Sequence, residues 1–156
     1  MTTPYIRIVK KEDISRVWYE VAPILKKAIR YSNGETTVDD VFNLIQKGQQ
    51  LLWIGFKDNK LFCAGTTEFI HYPRKKALRI ILFATVSGYD FEVWNKFADL
   101  LELFGSDTDC SILEAWTRKG LAKKLNWDNH FCVITKQIKH QSKEAKCHQE
   151  EAAQKK

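Results

Sequence analysis

Two glutamates stand within stretches that are otherwise rich in apolar residues, and their side chains are suited to acid–base chemistry. Glu68 lies inside the run from Leu61 to Ile70, and Glu114 lies between Leu113 and Ala115. A carboxyl group buried in an apolar strand loses hydration, so its pKa rises and it becomes a better general base. The alternative is that side chains alternate along each strand and that both glutamates face solvent.

The most apolar stretch of the chain leads through a short turn into a helix. Residues from Ile80 to Val86 are apolar or β-branched without alternation, which is typical of a strand buried on both faces, and the run ends at Ser87-Gly88. The first N–H groups of the following helix favour an anionic group at the turn. Asp90 is an acid at that point, and its simpler role is to cap the helix. One apolar stripe, with residues three or four apart, continues to a terminal Gly105: Phe91, Trp94, Phe97, Ala98, Leu101 and Phe104.

Hydrophobic periodicity divides the rest of the chain into strands and helices. One helix is expected from Ile14 to Ile29 with a kink or break at Pro23, a second follows a cap at Thr36 or Thr37, and Leu121–Leu125 is a short third. An interior Gly65 indicates a bulge or a close backbone approach. The further predicted strands are Tyr5–Val9, Gln50–Phe56, Leu61–Ile70, Ser111–Thr117 and His130–Ile138. We expect one domain over residues 1–138 and a polar tail over 139–156, either a solvated helix or disordered.

Composition limits the class of protein. The 156 residues carry a net charge of +6, and no apolar run reaches the roughly 20 residues that span a bilayer. The start, MTTPYIRIVKKED, lacks a signal-peptide layout, so we expect a cytoplasmic protein without membrane contact. Four widely spaced cysteines have no metal-ligand spacing, so we expect no metal: Cys63, Cys110, Cys132 and Cys147. All but Cys147, which lies in the polar tail, are in apolar, strand-like contexts, and we expect these three to be reduced, buried thiols.

Basic clusters between Arg74 and Arg79 and between Arg118 and Lys124 are the main charge feature of the body of the chain. They would suit the phosphates of a nucleotide cofactor or a nucleic acid, or they form a solvated face. No segment has the residue pattern of a nucleic-acid-binding motif, so a nucleic-acid partner is the weakest of these interpretations.

The order strand, two helices, three strands, helix, strand, short helix, strand resembles the Gcn5-related N-acetyltransferases (GNAT) over Tyr5 to Ile138. The text SILEAWTRKGLAKKLNWDNHFCVITKQI is similar to the ending of many members. ILFATVSG together with EAWTRKGLAKKLNW resembles small acetyltransferase-like proteins of tailed phages. The resemblance implies an α/β (α+β) fold with a mixed, mostly antiparallel sheet flanked by helices.

The resemblance also implies a cofactor site for acetyl-CoA. In the family a bulged fourth strand pairs with the pantetheine arm, and the following turn, Arg/Gln-x-x-Gly-x-Gly/Ala, holds the pyrophosphate. Mapped onto this chain, Phe83, Ala84 and Thr85 flank the pantetheine. The phosphate turn comprises Val86, Ser87, Gly88 and Tyr89, with Asp90 after them. This turn departs from the family pattern because it has one glycine and no leading arginine or glutamine, and Arg118 or Lys123 would have to supply the missing charge.

The family commonly uses a carboxylate on the central sheet as general base and a tyrosine on the last short helix as general acid. By this resemblance Glu114 and Glu68 are the candidate catalytic residues, and Leu121–Leu125 contains no tyrosine. One hypothesis is an N-acetyltransferase that acts on an amine of a small molecule or protein. The other is a non-catalytic protein of the same fold, a structural or interaction component of a tailed phage, either virion-associated or host-directed. The oligomeric state stays open.

Overall fold

A computed structural model describes residues 4–88, 90–117 and 119–140. Five strands form one sheet in the order β1-β2-β3-β4-β5. Strands β1 to β4 are antiparallel neighbours, and β5 runs parallel to β4. The strands are β1 (Tyr5–Ile8), β2 (Leu51–Lys57), β3 (Lys60–His71), β4 (Lys76–Thr85) and β5 (Ile112–Ala115). The predicted mixed, mostly antiparallel sheet is therefore confirmed.

Helices cover both faces of this sheet: α1 (Ile14–Ile29, preceded by a 3-10 turn), α2 (Val38–Gln46), α3 (Phe91–Asp107) and α4 (Lys119–Leu125). Leu52 and Ile54 alternate with Trp53 along β2, so they point to opposite faces. Leu52 and Ile54 belong to the core beneath α1 and α2. Trp53 belongs to the other core, where Phe97 and Leu101 of α3 are fully buried. The sheet is thus a central layer between two helical layers.

Local caps and core contacts explain where the helices begin. Thr37 and Asp40 form a reciprocal capping box at the start of α2, which resolves the choice between Thr36 and Thr37. α1 continues through Pro23 as one helix, so of the two expected outcomes, a kink or a break, the break is wrong. The flanking Val21 and Ile24 are buried in the core, and this packing holds the helix together where proline removes one N–H.

A bulge in β4 shapes the edge of the sheet. Thr66 of β3 is paired with Leu82, but the next residue, Thr67, is paired with Ile80, so Ile81 is an extra residue on β4. Pairing between β4 and β5 ends at Ile80, just before this bulge. From Ile81 to Thr85 the two strands are no longer paired, and a cleft opens between them.

The strand predicted at His130–Ile138 is wrong. All residues from 128 to 140 are exposed, and 128–140 contain neither helix nor strand. Phe131 and Ile134 are 89% and 90% exposed. Their apolar, β-branched sequence matches a strand, but a strand requires a neighbour to complete its ladder, and this segment is paired with none of the described strands. Residues 141–156 lie outside the described part of the chain.

Candidate functional site

The cleft between β4 and β5 has a volume of about 150 Å³ and passes between the two helical layers. The bulge at Ile81 creates it, because β5 stops following β4 there. α1 contributes to one side and α3 to the other. The lining residues are Ala28, Tyr31, Ile80, Ile81, Leu82, Phe83, Trp94, Ala115, Trp116 and Thr117. Most of the lining side chains are apolar, and the exposed rings of Tyr31 and Trp116 lie beside the cleft.

Aromatic packing fixes one wall of the cleft. The ring of Phe83 stacks on Phe97 with centroids 4.6 Å apart and meets Trp94 edge-on at the same distance. On the neighbouring strand, a Cβ placed on Gly65 would lie 2.8 Å from the carbonyl oxygen of Leu82 and 3.0 Å from the Phe83 ring. The close backbone approach predicted for Gly65 is therefore confirmed, and it lies directly behind the bulged part of β4.

Three charged residues form a row across β3, β4 and β5. Glu68 is the cross-strand partner of Arg79, and Arg79 is the partner of Glu114. The Nε and Nη2 atoms of Arg79 each lie 2.8 Å from Oε1 of Glu114. The hydroxyl of Tyr72 donates to the same carboxylate at 2.9 Å. The Glu114 carboxylate therefore forms a part-buried ion pair with Arg79 and accepts a hydrogen bond from Tyr72. These donors occupy most of its lone pairs.

Glu68 has a different environment. It is half-buried on β3 and forms no hydrogen bond or ion pair with any residue in the described ranges. Cross-strand partners point to one face of a sheet, so Glu68 shares the face of Arg79. The guanidinium of Arg79 also stacks on the ring of Trp116, 4.5 Å from its centroid, which connects this charged row to the rim of the cleft.

The turn after β4 differs from an anion-binding turn. The carboxylate of Asp90 accepts the N–H groups of Glu92 and Val93 at 3.1 and 3.3 Å, so the predicted N-cap is confirmed. Gly88 has φ +96°, in the left-handed region that favours glycine. Because a side-chain carboxylate already occupies the α3 N-terminus, a phosphate there would meet a like charge and no free first-turn donors at those two amides. Tyr89 lies outside the described residues.

The remaining predicted cofactor residues take separate positions along the end of β4. Phe83 lines the cleft, whereas Ala84 packs against the core beneath α1. Thr85 is 5% exposed, and its hydroxyl has no hydrogen-bond partner in the described residues. Val86 is 50% exposed, and its carbonyl oxygen accepts a hydrogen bond of 2.6 Å from the ammonium of Lys27. Arg118 is outside the described residues, and Lys123 is exposed on α4.

Sequence reasoning missed several residues that complete this region. Tyr72, Trp116 and Lys27 reach it from segments far apart in the chain, so no local spacing reveals them. Arg79 was expected only as part of a basic cluster, and not as the partner of Glu114. Trp116 lies inside the predicted strand Ser111–Thr117, whereas β5 ends at Ala115 and leaves Trp116 at the rim of the cleft. Among the described residues, no helix is long and apolar enough to cross a membrane, and no three side chains converge as metal ligands.

Of the cysteines, Cys63 is buried, and this burial raises the pKa of its thiol to about 12. Cys110 is half-buried and Cys132 is exposed. The expectation of burial is therefore wrong for Cys132, because the strand predicted to hold it does not form. Cys147 lies outside the described residues.

No protein-family model and no curated protein matches the sequence. Solved structures do match. A GNAT family acetyltransferase of Staphylococcus aureus is 13% identical, with a TM-score of 0.63 over 88% of this chain and 100% of that one. The aminoglycoside N-acetyltransferase AAC(6')-Iy, solved in complex with CoA, is 12% identical with a TM-score of 0.66 over 90% and 97%. Glucosamine-6-phosphate N-acetyltransferase of Arabidopsis thaliana is 14% identical with a TM-score of 0.60 over 88% and 100%.

At these identities the likeness concerns the fold. It agrees with the mixed five-stranded sheet and its flanking helices. The chain has the fold of the GNAT acetyltransferases.

Proposed function

We propose that this protein transfers an acetyl group from acetyl-CoA to an amine of a small molecule or a protein. The bulge at Ile81 carries the proposal, because it separates β4 from β5 and leaves the β4 edge beyond Ile80 unpaired with β5, with Ile81 to Phe83 lining the cleft. Proteins with this fold include one solved with CoA and others named for the amino sugars they acetylate.

The residues around the cleft suit the acyl and pantetheine part of such a donor. An unpaired strand edge offers backbone N–H and C=O groups to an extended amide-containing arm. The buried hydroxyl of Thr85, without a partner in the described residues, is a further polar group near the end of this edge. Phe83 and Trp94 supply an apolar wall that excludes water. When bound, the thioester supplies an electrophilic acyl carbon to an attacking amine.

We assign separate roles to the two candidate carboxylates. Glu68 is the better candidate for accepting a proton from the amine, because its carboxylate is not engaged by any described residue. Glu114 is better suited to positioning, because it holds Arg79, and Arg79 in turn stacks on Trp116 at the cleft. Attack by a neutral amine needs mainly orientation and a modest base, so this small set of groups is sufficient.

Calorimetry with acetyl-CoA tests the proposal, with Ala115→Trp as the blocking variant. Ala115 lines the cleft, so a bulky ring there fills the space that the donor needs. Asn43→Trp, on the exposed surface of α2, is the matched control. We expect micromolar binding by the wild type and by the control, and loss of binding in Ala115→Trp. A screen of amine acceptors that measures thiol release then identifies turnover.

A non-catalytic role is the second candidate. The carboxylate of Asp90 at the α3 N-terminus and the engaged carboxylate of Glu114 favour it. Under this alternative the fold is a scaffold for a protein partner, and the resemblance to tailed-phage proteins suggests a virion or host component. Absence of acetyl-CoA binding at millimolar concentration would overturn the enzyme proposal and support this one.

A further inference from the structure

A second groove lies between α1 and the β2–β3 hairpin, and Val86 of the turn that follows β4 is among its lining residues. Its volume is about 600 Å³, four times that of the β4–β5 cleft at about 150 Å³. Ile24, Phe56 and Leu61 give it an apolar floor, and Val86 also lines it. Val86 therefore belongs both to the turn after β4 and to this groove.

Two lysines line this groove. Lys27 extends from α1, and its ammonium donates to the carbonyl oxygen of Val86 at 2.6 Å. Lys60 comes from the first residue of β3 on the hairpin side. Glu20 is the acid among the lining residues, so the charged side chains of the groove sum to a positive value. An ammonium has three donors, and in the described residues Val86 takes one from Lys27.

The usual location for a phosphate in this fold, the N-terminus of α3, is a poor one here. Asp90 takes the N–H groups of Glu92 and Val93 and adds a negative charge. An anion that follows the edge of β4 toward its end therefore meets repulsion on the α3 side and cations on the α1 side. The distance is short, because Val86 lies three residues beyond Phe83, about 10 Å at the usual rise of a strand.

We propose that the groove between α1 and the β2–β3 hairpin holds the diphosphate-bearing nucleotide end of the acyl donor, with Lys27 as its principal cation and Lys60 opposite. The inference rests on the proposed function, since it assumes that an acyl-CoA binds along β4. Under this proposal Lys27, which is 59 positions from Val86 in the sequence, supplies the positive charge that the turn after β4 lacks. The apolar floor is suited to the adenine ring or the stem of the ligand.

The test compares CoA with pantetheine, which lacks the nucleotide and its phosphates, by calorimetry on the full chain. In Lys27→Ala we expect CoA binding to weaken about tenfold or more, which is the usual effect of losing a charge-assisted hydrogen bond. Pantetheine binding should stay within about twofold, and the salt dependence of CoA binding should decrease. Lys26→Ala is the matched control, because it removes the same charge from the neighbouring exposed position of α1 and should leave CoA binding unchanged.

A second variant separates the groove from the α3 N-terminus. Asp90→Asn keeps a capping side chain and removes its charge, so under our proposal CoA binding changes by less than about threefold. CoA binding that becomes tenfold tighter in Asp90→Asn would locate the phosphates at α3 and overturn the proposal.

The remaining outcomes are also decisive. Equal CoA affinity in Lys27→Ala and the wild type overturns the proposal that the groove binds the nucleotide end of the donor, and it leaves the proposed function intact. Equal losses of affinity for CoA and for pantetheine in Lys27→Ala show that Lys27 only holds the turn at Val86 in place. This result also overturns the proposal for the groove. A wild type that binds neither ligand overturns the proposed function and this inference together. Circular dichroism and thermal melts of each variant exclude misfolding as the cause.

Discussion

The guanidinium of Arg79 and the carboxylate of Glu114 meet at 2.8 Å across β4 and β5, one position before the last pair of the two strands. Their side chains are 17% and 22% exposed, so the pair is partly shielded from water. Because Arg79 also stacks on Trp116, the ion pair ties the end of β5 to β4 at the mouth of the cleft.

We predict that Arg79 and Glu114 are energetically coupled. In a double-mutant cycle of Arg79→Met and Glu114→Gln, the coupling free energy should be about 1 kcal/mol, as expected for a partly shielded ion pair with good geometry. Urea unfolding of the wild type, both single variants and the double variant measures it. Strictly additive effects on the free energy of unfolding would show that the two side chains do not stabilise this junction jointly.

Glu68 should matter for rate and not for stability. If Glu68 accepts the proton of the amine, Glu68→Gln lowers kcat by about a hundredfold at neutral pH, because general base catalysis contributes on that scale. The free energy of unfolding should change by less than about 0.5 kcal/mol, since Glu68 has no polar partner in the described residues. Glu114→Gln is the comparison variant, because its main effect should be a lower free energy of unfolding, through loss of the ion pair with Arg79. An unchanged kcat in Glu68→Gln would remove it as the base.

Much of this architecture was readable from local sequence. Most of the strand predicted over Ile80–Val86, the turn at Gly88 and the cap at Asp90 follow from residue type and spacing, although the strand begins earlier, at Lys76, and ends at Thr85. Each of these features depends on atoms within a few residues. Gly65 indicated the close backbone approach, because a strand interior rarely tolerates glycine without a reason.

The contacts between the groups that give the site its charge could not be predicted from the sequence. Arg79 and Glu114 are 35 positions apart and Lys27 and Val86 are 59 apart, and only the strand order and the packing of α1 bring them together. The prediction of a strand at His130–Ile138 was wrong for the opposite reason. Its local signal is strong, but a strand forms only where another strand completes its hydrogen bonds, and sequence does not show whether one is there.

Gly65→Ala should destabilise the protein by about 2 kcal/mol, the typical effect of overpacking. The added methyl would meet the carbonyl oxygen of Leu82 at 2.8 Å, and this atom belongs to backbone that cannot move without disturbing the bulge. The matched control is Gly105→Ala in α3, where the nearest atom found is 3.5 Å away. That control should change stability by less than about 1 kcal/mol, in the stabilising direction. Equal urea midpoints for both variants would contradict the close approach.

The capping box of α2 predicts a pH-dependent contribution to stability. Hydrogen bonds from the side chain and backbone of Thr37 lower the pKa of Asp40 below its ordinary value of 3.8. The unfolded chain therefore binds this proton more readily than the folded chain. The stabilisation is fully present above the unfolded pKa and is lost as the pH falls through the folded one. Asp40→Asn should accordingly lower Tm at about pH 7 and have a smaller effect at about pH 2, where the wild-type carboxyl is also neutral.

The control for this prediction is Asp39→Asn, which removes an equal charge from the same first turn of α2 without breaking the capping box. Both variants lose part of the interaction with the helix dipole, so the difference between their Tm values isolates the hydrogen bonds to Thr37. Thermal melts of the wild type and both variants from acid to neutral pH give this difference. If the two variants lose equal stability at every pH, the bonds between Thr37 and Asp40 contribute nothing beyond the charge, and the box is only a geometric feature of the turn.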